Sequence, residues 1–215
     1  MIQPIVEGHG EVEAVPVLLR RLRDEAGAFH LQVGGPIRRH RSQLVREESL
    51  CQAVELARRQ AHCNAILILF DGDEDCPRDL APRIQGWAAA ASAGIPCSVV
   101  MAHREYEAWF LAAVESLRGQ RGIRPDAAIP FDPEAPRGAK AALEDLMAAD
   151  ASYHETADQP ALTAMFDMAT AHRRSRSFRH MTSAFGSLLR AHGVQVDAWP
   201  PVSWATTSGA RTDER

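Results

Sequence analysis

Ala65-Ile66-Leu67-Ile68-Leu69-Phe70 is an unbroken apolar run, and its polarity reverses at once in Asp71-Gly72-Asp73-Glu74-Asp75. A run this short, rich in Ile, Leu and Phe and lacking polar alternation, reads as a strand covered on both faces, which is the habit of strands inside parallel sheets. Such a sheet needs helices on both sides and right-handed crossovers, so the flanking sequence has to alternate strand and helix. It does. Ile2 to Val6 reads as a first strand, followed by the turn Glu7-Gly8-His9-Gly10-Glu11 and an amphipathic helix carrying Val12, Val15, Leu18, Leu19 and Leu22 at helical spacing, with Gly27 placed to end it. His30 to Val33 reads as a second strand and Gln43 to Ala61 as a second helix leading into the apolar run. Pro77 to Ala93 reads as a third helix and Cys97 to Ala102 as a further buried strand.

The carboxyl-terminal part changes character. Glu105 to Leu117 predicts a helix, Gly119 to Pro136 a proline-rich loop, and Gly138 to Ala149, Ala161 to Ala171 and Ser175 to His192 three more helices. Val194 to Trp199 reads as an edge strand, and the polar stretch from Ser203 as a frayed tail. The expected fold is α/β, with a mostly parallel central sheet flanked by helices and a mainly helical carboxyl-terminal extension. The expected division is a core over 1–117, a helical extension packed on it over 118–200, and a disordered tail over 201–215.

With 215 residues, 46% of them hydrophobic, the chain can bury one sizeable core. Cys51, Cys63, Cys76 and Cys97 lack C-x-x-C spacing, which argues against a zinc site or a disulfide framework. The amino terminus has no basic segment followed by a long apolar one, and no window reaches the length of a membrane span. The expectation is a cytoplasmic protein without a membrane partner; its oligomeric state is left open.

In a parallel sheet the carboxyl ends of the strands share one rim, where ligands gather. Glu7 falls at the first such end, Asp71 and Asp73 at that of the central run, and Glu105 or Glu107 just past the next. Crowded carboxylates repel one another unless a proton or a cation intervenes, and an all-carboxylate set selects a hard ion, Mg²⁺ or Mn²⁺. The competing explanation for Asp71 to Asp75 is an acidic turn capping the helix that begins at Pro77, and for Glu7 and Glu11 a favourable position near a helix amino terminus. Glu105 and Glu107, two positions apart, cannot both face the rim if the helix has begun. Of 24 basic residues only Lys140 is a lysine; it reads either as a surface residue or as a cation beside a reacting phosphate. Gly8-His9-Gly10 lacks the third glycine of a dinucleotide loop, Glu13 standing in its place.

Val6-Glu7-Gly8-His9-Gly10-Glu11 followed by Leu69-Phe70-Asp71-Gly72-Asp73 resembles the Toprim domain of topoisomerases, primases and the overcoming-lysogenisation-defect nucleases. With Arg104-Glu105-Tyr106-Glu107-Ala108-Trp109-Phe110 and Ser175-Arg176-Ser177-Phe178, the chain also resembles a bacterial family of stand-alone Toprim-like proteins of unknown function. The first resemblance covers about half of the chain, the second nearly all of it. It implies that Glu7 is the Toprim glutamate, binding metal or acting in acid/base transfer, and that Asp71 and Asp73 are the D-x-D metal ligands. From the nuclease branch it implies Glu11 as holder of another metal, Glu105 or Glu107 as a later carboxylate with Glu107 preferred, and Lys140 as the catalytic lysine. Phosphodiester hydrolysis is the activity such a site implies, with metals about 3.5–4 Å apart in two-metal nucleases. The resemblance further implies a companion ATPase in a defence or DNA-processing setting; no Walker A motif occurs in this chain.

Two basic clusters suit a polyanionic substrate, DNA rather than RNA: Arg38, Arg39, Arg41 and Arg46, and Arg173, Arg174, Arg176 and Arg179. Their bland alternative is two solvated helix starts, although arginine at a helix amino terminus opposes the macrodipole. No base-reading motif accompanies them. The leading expectation is therefore a Mg²⁺-dependent Toprim-type nuclease. Against it stand a metal- or nucleic-acid-binding module without turnover and a phosphoesterase acting on a small metabolite.

Overall fold

A computed structural model describes residues 1–129, 131–194 and 198–205. Four parallel strands form one sheet in the order β2-β1-β3-β4: β1 (Ile2–Val6), β2 (Ile37–Arg38), β3 (Ala65–Asp71) and β4 (Cys97–Ala102). Ile5 pairs with Ile68 and Ile68 with Val99, so β3 sits in the middle of the sheet. Its residues through Phe70 are buried.

Strand alternation sorts the core into two layers. Leu67, Leu69, Val100 and Ala102 face one cluster; Ile66, Ile68, Phe70, Val99 and Met101 face the other. The second layer is closed by α3 (Glu47–Arg58), through Leu50 and Val54, and by α4 (Pro77–Ala91), through Leu80 and Ile84. The first is closed by α1 (His9–Glu25), through Leu18, Leu19 and Leu22, and by the carboxyl-terminal helices. These are α5 (Ala108–Ala112), α6 (Ala139–Glu144), α7 (Glu155–Met165), α8 (Met168–Arg174) and α9 (Arg176–Ala191), with a 3-10 turn at Val114–Leu117. Edge-to-face contacts link Trp109 with Phe178, Phe178 with Phe166, and Phe166 with Phe110. The helical extension and the sheet therefore share one hydrophobic cluster.

Several boundaries differ from those expected. His30 to Val33 is not a strand: it contributes a single bridge, Ile2 to Val33, and the strand beside β1 is the two-residue β2. The helix expected over Gln43 to Ala61 is split into α2 (Arg41–Leu44) and α3, because Arg46 is extended and caps the second piece. Only Ala108–Ala112 of the Glu105 to Leu117 helix is α-helical. The segment Ala161 to Ala171 breaks where Phe166 turns into the core and Asp167 caps α8 by accepting from the Thr170 N–H at 2.5 Å. Within the stretch expected to be a tail, Val202–Trp204 is a 3-10 turn, and Trp204 is buried against His172 and Trp199. Val194, Ala198 and Trp199 are not in a strand, and 195–197 and 206–215 lie outside the described residues. Among those described, no helix is long and apolar enough to cross a membrane.

Candidate functional site

The carboxyl ends of β1 and β3 bring Glu7 and Asp71 side by side: the Asp71 N–H donates to Glu7 Oε2 at 3.3 Å. The Asp71 carboxylate in turn accepts from the Tyr106 N–H at 2.9 Å, which ties the end of β3 to the segment leaving β4. Glu11 lies in the first turn of α1, almost wholly buried, and its Oε2 has no hydrogen-bond partner among the described residues.

The Glu105/Glu107 ambiguity resolves by direction. Glu107 is fully buried and faces the cluster; its Oε1 accepts from the Tyr153 hydroxyl at 2.8 Å and from Gln159 Nε2 at 3.1 Å, while Oε2 is unpartnered. Glu105 instead accepts from the Lys140 N–H at 2.9 Å, near the start of α6. That amide contact brings Lys140 in, and its Nζ forms an ion pair with Glu155 Oε2 at 2.7 Å. Glu155 Oε1 also accepts from the Gly10 N–H at 3.2 Å.

Tyr153, Glu155 and Gln159 were not among the residues expected at the site. Glu155 and Gln159 are one helical turn apart on α7 and so share a face, but that spacing becomes visible only when the helix is started at Glu155 rather than at Ala161. The same contacts account for the glycines of the first turn. A Cβ on Gly8 would lie 2.2 Å from Glu11 Oε2 and 3.0 Å from Glu155 Oε1; one on Gly10 would lie 2.4 Å from Gln159 Oε1 and 2.6 Å from Glu155 Cγ. Glycine here lets α7 close on the amino terminus of α1.

The electrostatics follow from packing acids together away from water. Burial raises the carboxyls of Glu7, Glu11 and Asp71 above their ordinary values. Neighbouring acids add to this: Asp73 on Glu7, Glu155 and Glu7 on Glu11, and Glu107, Glu11 and Glu7 on Asp71. Burial pushes Glu107 up to about 7, even with Lys140 and the Tyr153 hydroxyl working in the opposite direction. Glu155 is the exception, since Lys140 and the Gly10 N–H override its burial and hold it low. The Lys140 ammonium is held above its ordinary value, burial notwithstanding, by Glu107 and Glu155.

Asp73 is placed differently. It sits at φ 47°, about half exposed, and pairs with Arg41 Nε at 2.7 Å, while the same guanidinium pairs with Asp75 at 2.5 Å. Glu74 pairs with Arg104 at 2.6 Å. Among the described residues, no three His, Cys, Asp or Glu side chains stand close enough together to hold a metal ion as they are. What suits a hard cation is the donor set: Glu11 Oε2, Glu107 Oε2 and Gln159 Oε1 are all buried oxygens without a hydrogen-bond partner among the described residues. Buried acceptors are normally satisfied, and each orphan costs about 1–3 kcal/mol.

The arginines divide. Among the described residues Arg38 and Arg39 reach only the carbonyls of Glu7, at 3.5 Å, and of Arg38, at 2.9 Å, so they keep donors for a ligand beside Glu7. In the second cluster Arg173 binds the Trp204 carbonyl and Thr170, and Arg174 binds Glu115 and the Ala112 carbonyl. Arg179 caps the end of α8 through the carbonyls of His172 and Arg173. Three of that cluster's four guanidinium groups are thus engaged by the protein itself; Arg176 is exposed and has no such partner among the described residues.

A protein-family comparison matches residues 6–185 to a family described as a domain of unknown function (DUF4276). No curated protein and no solved structure matches the chain.

Proposed function

The chain belongs to that DUF4276 family, and because the name carries no chemistry we propose its function from the acidic cluster: a Mg²⁺- or Mn²⁺-dependent phosphodiester hydrolase of Toprim type acting on nucleic acid. The observation that carries this reading is the group of buried, unpartnered oxygens on Glu11, Glu107 and Gln159 beside Glu7 and Asp71. Buried acceptors left without partners are costly, and a divalent ion drawn in by these side chains would satisfy them and relieve the repulsion that raises the carboxyls around it.

Glu7, Glu11, Asp71 and Glu107 are the residues that would hold the ion, with Asp73 available once it leaves Arg41. The ion would supply Lewis-acid polarisation of a phosphoryl oxygen and a bound water acidic enough to attack phosphorus. The protein's own groups have separate tasks. Tyr153 and Gln159 donate to Glu107 Oε1 and fix which of its oxygens faces the cluster. Lys140, held cationic by Glu107 and Glu155, offers ammonium hydrogens to charge developing on a phosphate. Arg38 and Arg39, with donors to spare next to Glu7, suit the flanking phosphates of a strand. A companion ATPase and a role in defence or DNA processing belong to this proposal through the sequence resemblance alone.

A module that binds metal or nucleic acid without turnover is the second reading. It is favoured by the internal pairing of Asp73 with Arg41 and of Lys140 with Glu155, which neutralises charge without any ligand. Incubation with linear, nicked and single-stranded DNA and with RNA, in Mg²⁺ or Mn²⁺, separates the two. Cleavage abolished by Asp71→Ala and Glu7→Ala supports the hydrolase; metal binding without cleavage supports the module; cleavage retained in both variants rejects the site.

A further inference from the structure

Beside the free edge of β4, between the starts of α4 and α9, lies a cleft of about 760 Å³, within the range of small-molecule sites. Val99, Met101, Ala81 and Pro82 give it an apolar wall. The edge strand is already covered there: Gln85 Nε2 donates to the Cys97 carbonyl and its Oε1 accepts from the Val99 N–H, both at 2.8 Å. A peptide adding itself as a fifth strand would have to expel Gln85, so the cleft is not an open template for strand addition.

Its charge is unbalanced in one direction. The acids along it are engaged: Glu74 by Arg104, Asp75 by Arg41, and Glu134 by the start of α9, where it accepts from the Ser177 N–H at 2.6 Å and the Ser175 hydroxyl at 2.7 Å. Arg78 and Arg176 are not engaged. Both are exposed, and neither has a hydrogen bond or ion pair among the described residues. Arg78 is the second residue of α4 and Arg176 the first of α9, the helix end where a cation meets the positive pole of the macrodipole and a carboxylate would stabilise instead. Between them, Arg104 Nε and His103 Nδ1 are buried and unpartnered. Two unneutralised guanidinium groups at the starts of two helices and two nitrogens unpartnered among the described residues therefore line one apolar-walled cavity.

We propose that this cleft binds a phosphate-bearing nucleotide unit, with the phosphate between Arg78 and Arg176 and the base against Val99, Met101 and Pro82. Guanidinium pairs recognise phosphate by bidentate hydrogen bonding, and the apolar wall selects a ligand that carries a flat ring as well as a charge. The unit is either the end of a nucleic-acid strand or a free nucleotide, and the proposal does not depend on what the acidic cluster does.

The test is a binding titration of the full chain in EDTA, where the metal-dependent reaction is off. One arm uses a labelled 5′-phosphorylated single-stranded DNA dodecamer read by fluorescence anisotropy, the other deoxyadenosine monophosphate read by calorimetry. The double variant Arg78→Ala/Arg176→Ala, altered only at exposed positions, is compared with Arg20→Ala on α1, which removes one exposed charge elsewhere. Loss of about tenfold in affinity in the double variant, with Arg20→Ala close to the parent, supports the cleft; the arm showing the loss identifies the source of the nucleotide. Absence of binding in both arms, unchanged affinity in the double variant, or an equal loss in Arg20→Ala overturns it.

Discussion

The raised carboxyl of Glu107 makes a prediction about stability that runs against the usual behaviour of acids. In the unfolded chain Glu107 ionises at its ordinary value near 4.5; in the folded protein, burial keeps the proton on up to about pH 7. Between those limits the folded state binds the extra proton, so stability is highest near and below pH 4.5, as far as this group is concerned, and falls as pH rises to about 7. At 1.36 kcal/mol per pH unit the whole span amounts to about 3 kcal/mol. Raised values for Glu7, Glu11 and Asp71 push in the same direction, while the lowered Glu155 opposes them. For a chain of this size each kcal/mol corresponds to about 2–4 °C in Tm. Metal-free protein in EDTA is therefore expected to melt roughly 6–12 °C lower at pH 8 than near pH 5, and Mg²⁺ is expected to restore much of that loss at pH 8, because an ion that binds only the folded state stabilises it. Glu107→Gln, neutral at every pH and still able to accept from Tyr153 and Gln159, should flatten the pH profile and reduce the Mg²⁺ effect. Thermal melts across pH 5 to 8.5, with and without Mg²⁺, check all three. Stability that rises with pH through this window, or a Glu107→Gln profile equal to that of the parent, would refute the reasoning.

Gly10→Ala forces a methyl to within 2.4 Å of Gln159 Oε1 and 2.6 Å of Glu155 Cγ; overpacking of this kind costs about 1–3 kcal/mol, so denaturant titration should show a clear loss, and an unchanged midpoint would mean that α7 does not close on α1 as described. Arg41→Ala removes the cation paired with Asp73 and Asp75. These acids are about half exposed, so stability should change by less than about 1 kcal/mol, yet Mg²⁺ affinity measured by calorimetry should increase if Asp73 is a ligand. Trp204→Ala should cost about 3 kcal/mol in a chemical melt, because the ring is buried against His172 and Trp199; no loss would mean that this turn does not pack on α8 as described.

How far the sequence could be read depended on the range of the interactions that fix each element. β3 and β4 were legible to the residue or nearly so, because their buried stretches, Ala65 to Phe70 and Val99 to Ala102, are apolar at every position. α1 and α4 were legible from helical spacing and from their boundaries, Gly27 at φ 63° just past one and Pro77 at the start of the other. β2 was not, because two residues carry no periodicity and Ile37 is a strand residue only through its pairing with Ile5. Helix breaks at Arg46 and Phe166 were missed for a related reason. Glu47 and Glu48 do mark the first turn of α3, and Asp167 with Thr170 marks the cap of α8, but each signal lay inside an apolar pattern that could run on unbroken.

The site shows the same division. Glu7, Glu11 and Asp71 could be placed at strand ends and a helix start from local pattern, whereas Glu107 differs from Glu105 only by which side of the chain faces the core. Glu155, Gln159 and Tyr153 arrive from more than a hundred residues beyond Gly10 through the docking of α7 on α1, and no local pattern encodes that docking. Their arrival also alters the meaning of Lys140. On an isolated helix a lysine is a solvated charge; here it sits in an ion pair with Glu155, with Glu107 and Asp71 raising its hold on the proton. A purely structural cluster would use that ammonium to satisfy the buried oxygens around it. Instead the lysine pairs with Glu155, and the buried oxygens of Glu11, Glu107 and Gln159 have no hydrogen-bond partner among the described residues. On the proposed function, a metal ion taken up by those oxygens would leave Lys140 to meet the anionic substrate.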